Sequence, residues 1–127
     1  MADVKTPVNE SEVPFEVWYE GSAREIHSKS LSDIGGGAKI GVGILELPPG
    51  SDTRPAHYHT HEEEHLYVLH GKLLLHLGDE AYELSAGSYV HFPAAQEAAH
   101  YLSNPGETAT KYIMIGERIS EDQVIYP

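Results

Sequence analysis

The chain has 127 residues, no cysteine, and 20 Asp plus Glu against 8 Lys plus Arg, a formal net charge of −12 at pH 7. That length predicts one domain with its own hydrophobic core, and the missing thiols exclude disulfides, thiolate zinc sites and cysteine nucleophiles. So acidic a field, with no basic stripe to offset it, repels a phosphate backbone and argues against nucleic acid as a partner.

Residues 1–14 are polar, carry Pro7 and Pro14, and predict a flexible N-terminal arm ahead of a single domain at 15–127. The opening residues lack a basic stretch followed by an apolar one, and no apolar run approaches the roughly 18 residues of a membrane helix. The expectation is a cytoplasmic protein with no membrane contact. Phe15-Glu16-Val17-Trp18-Tyr19 has the β-branched and aromatic content of a short strand. Ser22-Ala23-Arg24-Glu25 has the capping-box pattern of one helical turn, and Gly35-Gly36-Gly37 keeps any helix here short.

From residue 38 onward the pattern is repetitive. Runs at 38–47, 65–70, 73–77, 81–84, 89–92, 100–103 and 110–115 each end in glycine, proline or asparagine turns. Turn signals spaced about 8 to 12 residues apart predict a β-sandwich or barrel. Leu73, Leu75 and Leu77 alternate and belong on one core-facing side. Residues 122–127 read as a surface tail.

The stretch PAHYHTHEEEH, residues 55–65, carries two overlapping metal motifs. His61-Glu62-Glu63-Glu64-His65 spells H-E-x-x-H, which requires a helix so that i and i+4 meet about 6 Å apart. In a strand the same pair stands roughly 13 Å apart and cannot share an ion. Pro55 upstream and the strand-like Leu66-Tyr67-Val68-Leu69 leave little room for that helix, which disfavours a zinc-protease reading. His57-Tyr58-His59 followed by Glu64 suits strands instead. His57 and His59 share a sheet face roughly 7 Å apart, and Glu64 can return on a neighbouring strand. Two imidazoles and a carboxylate suit first-row divalent metals. His61 and His65 then flank the site, and Glu62 and Glu63 are solvated charges.

Gly50-x6-His57-x-His59-x4-Glu64-x6-Gly71 resembles the first motif of the cupin family. Gly87-x5-Pro93 and His100-x3-Asn104 resemble its second motif, with two departures. Ala95 stands where glycine is usual, and six residues rather than four separate Pro93 from His100. The resemblance implies an all-β, double-stranded β-helix (jelly-roll) barrel preceded by a short N-terminal strand and arm. It implies one divalent transition metal (Fe, Mn, Zn or Ni) held by His57, His59, Glu64 and His100. It further implies a metal-dependent enzyme acting on a small polar organic molecule, with dioxygenase-like or isomerase-like chemistry. The alternative is a non-catalytic cupin that binds or senses a sugar or carboxylate, and a metal-free barrel that keeps the motif as structure stays open. Only Arg54 and Lys72 lie near the motif, which ranks phosphosugar isomerisation below reactions of uncharged or mono-anionic ligands. Tyr112 and Met114 are candidates to line the pocket. Small members of the family commonly pair, so a homodimer is expected, with the strand at residues 15–19 covering a sheet edge.

Overall fold

The alternating runs fold as antiparallel strands, because each places an apolar residue at every second position and ends in a turn residue. The computed structural model describes residues 6–127; the first five residues of the expected arm lie outside the described residues. The strands are β1 (Glu16–Trp18), β2 (Ile26–Ser30), β3 (Ile40–Leu47), β4 (Tyr58–His59), β5 (Glu64–His70) and β6 (Lys72–Leu77). They continue with β7 (Glu80–Ser85), β8 (Tyr89–Phe92), β9 (His100–Ser103), β10 (Thr110–Glu117) and β11 (Val124–Ile125). One short helix, α1 (Leu31–Gly35), lies between β2 and β3.

One sheet runs β1-β2-β3-β10-β5-β8, and the other pairings are β7-β6-β9 and β11-β4. Bridges from Asp52 to Ser103 and from His57 to His100 join the segment before β4 to β9. The second layer therefore continues from β7 to β11. The inner faces of the two layers meet in one cluster: Leu47, Leu66, Val68 and Tyr112 from the first, Leu73, Leu75, Leu84 and Leu102 from the second, closed by Phe92. Each such aliphatic side chain, fully removed from water, contributes roughly 1.5–3 kcal/mol. The architecture is the antiparallel jelly roll that the motifs imply.

Two motif residues have structural work. Gly71 turns β5 into β6 at φ +85°, and a Cβ there would lie 2.8 Å from Thr110 Oγ1, so no side chain fits. Asn104 is buried; its Nδ2 donates to the carbonyls of Leu47 (2.8 Å) and Thr108 (2.9 Å), and its Oδ1 accepts from the Gly106 N–H. That side chain ties the β9–β10 turn to the end of β3.

One local expectation changes and two become more specific. Residues 22–25 form a turn rather than a helical one: Glu25 Oε1 caps the Gly21 N–H, but Ile26 is already drawn into the β1–β2 pairing opposite Trp18. The helix falls at α1 instead, capped by Ser30 at its start and by Gly36 in the left-handed conformation at its end. Residues 122–127 lie at the surface as expected, and Val124 and Ile125 are held there by pairing with His59 and Tyr58. The strand at 15–19 finds its partner in this same chain, through β2. Within residues 6–14, Val13 is buried and Glu10 pairs with Lys29 and Lys111. No helix among the described residues is long and apolar enough to cross a membrane.

Candidate metal centre

The backbone ladder between the 51–59 segment and β9 sets the first two side chains. The His57 N–H donates to the His100 carbonyl (3.2 Å) and the His100 N–H donates back (3.0 Å). Directly opposed residues of an antiparallel pair project to the same face, and the two imidazole centroids are 4.8 Å apart. His59, two residues on, shares that face, with its ring 5.5 Å from that of His57. Glu64 opens β5 opposite Gly116 of β10. Gly116 leaves room for the carboxylate, since a Cβ there would stand 3.3 Å from Glu64 Cγ.

One ligating atom each from His57, Glu64 and His100 lies within 4.8 Å of the others. His59 Nε2 is 3.2 Å and His100 Nε2 3.9 Å from Glu64 Oε1. All four sequence-predicted residues are thus brought together. Glu64 Oε1 is nevertheless buried without a hydrogen bond, so the nearby His59 nitrogen is within reach but out of line. Gln96 Oε1 and His100 Nδ1 are likewise buried and unpartnered. A carboxylate oxygen facing several imidazole nitrogens without a shared proton fits a cation between them.

The electrostatics follow from burial. Burial, helped by the neighbouring His57 and His59, pushes the His100 pKa down to about 3. Burial also lowers His57 and raises Glu64. Burial alone would lower His59 as well, but the Asp122 hydrogen bond and the Glu64 carboxylate outweigh it and hold that pKa up. Asp122 would be raised by burial, yet the His59 ring and the backbone N–H groups of His61 and Glu62 keep it low. His57 and His100 are therefore neutral and ready to ligate.

Asp122 is the residue that sequence reasoning missed. Its Oδ2 accepts from His59 Nδ1 at 2.7 Å, and its Oδ1 accepts from the N–H groups of His61 (2.9 Å) and Glu62 (3.0 Å). It sits 63 residues from His59, in a segment without apolar pattern, so nothing local marks it. Glu62 is not simply solvated either: its Oε2 accepts from the Ile119 N–H at 2.7 Å, which fastens the C-terminal segment over the site. Phe92 stacks on His100 at 3.8 Å, and Tyr126 lies against His57 at 6.0 Å. Tyr58, Phe92, Pro93 and Gln96, with Glu62, Glu64, His59 and His100, line a tight cleft that leaves no free room for a water-sized sphere. Tyr112 and Met114 pack in and against the core and are not among the cleft residues.

The H-E-x-x-H reading finds no helix. His61 lies in a bend and His65 in β5, where it pairs with His91 of β8. Arg54 pairs with Asp52, and Lys72 with Glu83, both side chains largely exposed and neither lining the cleft.

Two antiparallel layers enclosing a histidine–carboxylate cluster define a small jelly-roll barrel with a metal-type donor set. The Cupin domain family matches residues 43–116, more than half of the chain. The chain belongs to the cupin family. Among solved structures it is similar to a candidate sugar phosphate isomerase from Acidithiobacillus ferrooxidans, with 33% identity and a TM-score of 0.81 over 91% of this chain and 74% of that one. A cupin-superfamily sugar phosphate isomerase from Silicibacter pomeroyi gives 22% identity and a TM-score of 0.87, covering 96% and 82%. The polyketide cyclase RemF from Streptomyces resistomycificus gives 21% and 0.78, covering 96% and 86%; these last two bear on the fold alone. No curated protein matches the sequence.

Proposed function

We propose that this cupin is a metal-dependent enzyme acting on a small, polar, non-phosphorylated organic molecule at His57, His59, Glu64 and His100. The observation that carries the metal is the buried, unpartnered Glu64 Oε1 facing His59 Nε2 at 3.2 Å and His100 Nε2 at 3.9 Å. A first-row divalent ion bound there supplies Lewis acidity to a ligand carbonyl or hydroxyl oxygen.

The chain's own residues set the rest. His57 Nδ1–H points to the Pro55 carbonyl at 3.4 Å and His59 Nδ1–H donates to Asp122, so each presents a free Nε2. Phe92 and Pro93 supply an apolar wall that excludes water, and the buried Gln96 Oε1 offers an acceptor to a ligand hydroxyl or amine. Among the described residues no lysine or arginine lines the cleft, so a phosphate would enter without a cationic partner there. This separates the proposed substrate class from that named for the A. ferrooxidans protein. A soluble cytoplasmic dimer is the proposed setting.

A second reading, a non-catalytic sugar- or carboxylate-binding module, is favoured by one feature. Of the two cleft carboxylates, Glu64 faces the histidines and Glu62 is engaged by the Ile119 N–H, so neither is a free general base. The test begins with elemental analysis of tag-free protein purified without chelator or nickel resin. Metal-loaded protein is then incubated with uncharged sugars, mono-carboxylates and sugar phosphates. Turnover of a non-phosphorylated compound is the expected result; binding with full recovery of unchanged ligand moves the assignment to the binding module. Preference for a phosphorylated sugar overturns the substrate class.

A further inference from the structure

Alternation along β5 has a second product. Glu64 points inward, so its neighbours Glu63 and His65 project from the opposite face, away from the cleft. There His65 stands directly across from His91 of β8. The two rings are stacked, 4.7 Å between centroids and 20° between planes, so both edges aim the same way. They aim at one carboxylate: His65 Nε2 is 3.2 Å from Glu63 Oε1, and His91 Nε2 is 3.2 Å from Glu63 Oε2.

We propose that Glu63, His65 and His91 form a second binding site for a divalent transition metal, on the outer face of the large sheet. The chemistry of the donors is that of a metal centre, two imidazole nitrogens and a carboxylate, with one ligating atom of each within 4.8 Å of the others. An ion with nitrogen and oxygen ligands at about 2.0–2.2 Å would take the place of the two hydrogen bonds that now join His65 and His91 to Glu63.

Three features make the triad more than a chance meeting. Both histidines stand on paired strands of a sheet, which hold their separation. Glu63 is fixed through its backbone, donating its N–H to Glu117 Oε1 (3.0 Å) and accepting from the Glu117 N–H (3.2 Å). His65 Nδ1 lies 2.6 Å from the Tyr89 hydroxyl, a partner that can accept Nδ1–H when an ion displaces the hydrogen bond between His65 Nε2 and Glu63. The side chains of His65, His91 and Glu63 are 34%, 40% and 47% exposed, so an ion and its remaining water ligands have access. The set suits borderline ions such as zinc, cobalt, nickel or copper rather than calcium or magnesium, which prefer oxygen.

The site is independent of the cleft, and the experiment reads only the difference that its own residues make. Tag-free, metal-stripped full-length protein is titrated with cobalt(II), followed by visible absorption and calorimetry. Wild type binds one more cobalt per chain than the His65→Ala/His91→Ala double variant, whatever the cleft takes up. Glu63→Gln weakens that same equivalent at least tenfold. Equal stoichiometry and equal affinity in wild type and double variant overturn the proposal. His91→Asn, a single exposed change, repeats the comparison if the double variant fails to fold. Retention of the Glu64→Ala variant's last cobalt, and its loss on adding His91→Asn, places the ion on the outer face.

Discussion

Ala95 holds φ +59°, a left-handed backbone that costs an L-residue roughly 1–2 kcal/mol and a glycine almost nothing. It is the position where the family pattern has glycine. The barrel has kept the glycine backbone with an alanine in it, and the Ala95 N–H still donates to the His59 carbonyl at 2.7 Å. Ala95→Gly should stabilise the protein by roughly 0.5–1 kcal/mol, the relieved strain less the added chain entropy. Urea unfolding measures it, and an unchanged or lower midpoint contradicts the strain. His57, His59 and Glu64 were legible because their spacing is set by strand period and one reversal; His100 was legible only through the likeness of His100-x3-Asn104 to the second cupin motif. Asp122 was not, since its contact with His59 depends on how the chain end returns. Asp122→Asn should lower metal affinity about 10–100-fold, as loss of an orienting carboxylate does. Calorimetric titration with the metal checks it; equal affinity would make Asp122 a bystander.

At the scale of elements, the seven runs from residue 38 onward were readable, because alternation and turn residues agree in each. The elements that escaped are β2 and β11. His27-Ser28-Lys29-Ser30 has no apolar alternation and becomes strand through pairing with β3 at Glu46–Gly43. β4 and β11 are two residues each and exist by pairing with one another. The C-terminal strand also bears on the proposed site, since it holds Asp122 beside His59. Deleting Asp122–Pro127 should leave the far-ultraviolet circular dichroism nearly unchanged, because no core residue lies there. The same deletion should weaken metal binding at least as much as Asp122→Asn. A truncated protein with full affinity would show that the strap has no part in the site. On the other edge, β1 exposes Val17 and Trp18, with Tyr19 just beyond, beside a strand edge that no described residue pairs with. The proposed dimer would cover it; sedimentation should show a dimer that dissociates on dilution, and a monomer at every concentration argues against it.

For the whole molecule, the buried histidines couple stability to pH. The folded-state pKa of His100 is about 3, below its ordinary 6.5, and that of His57 is lowered too. At His57 and His100 the unfolded chain therefore binds more protons between those values, so these two groups remove stability from metal-free protein as pH falls from about 6.5 toward 3. Glu64 and His59, whose pKa values are raised, act in the opposite sense. The slope from His100 alone reaches up to ~1.4 kcal/mol per pH unit. A bound ion adds stability by mass action while the imidazoles stay unprotonated. His59, whose pKa is raised, is the first to take a proton in competition with the ion. Thermal midpoints of metal-bound and metal-free protein should differ near neutral pH. The gap should narrow first as His59 takes its proton and close only at lower pH, where the buried His57 and His100 are protonated. A gap that stays constant would mean carboxylates hold the ion.

The central claim concerns position, and an anomalous difference map tests it directly. Tag-free protein crystallised with zinc, with data collected on either side of the zinc edge, should show a peak among His57, His59, Glu64 and His100. A map with no peak between those four side chains would contradict the account.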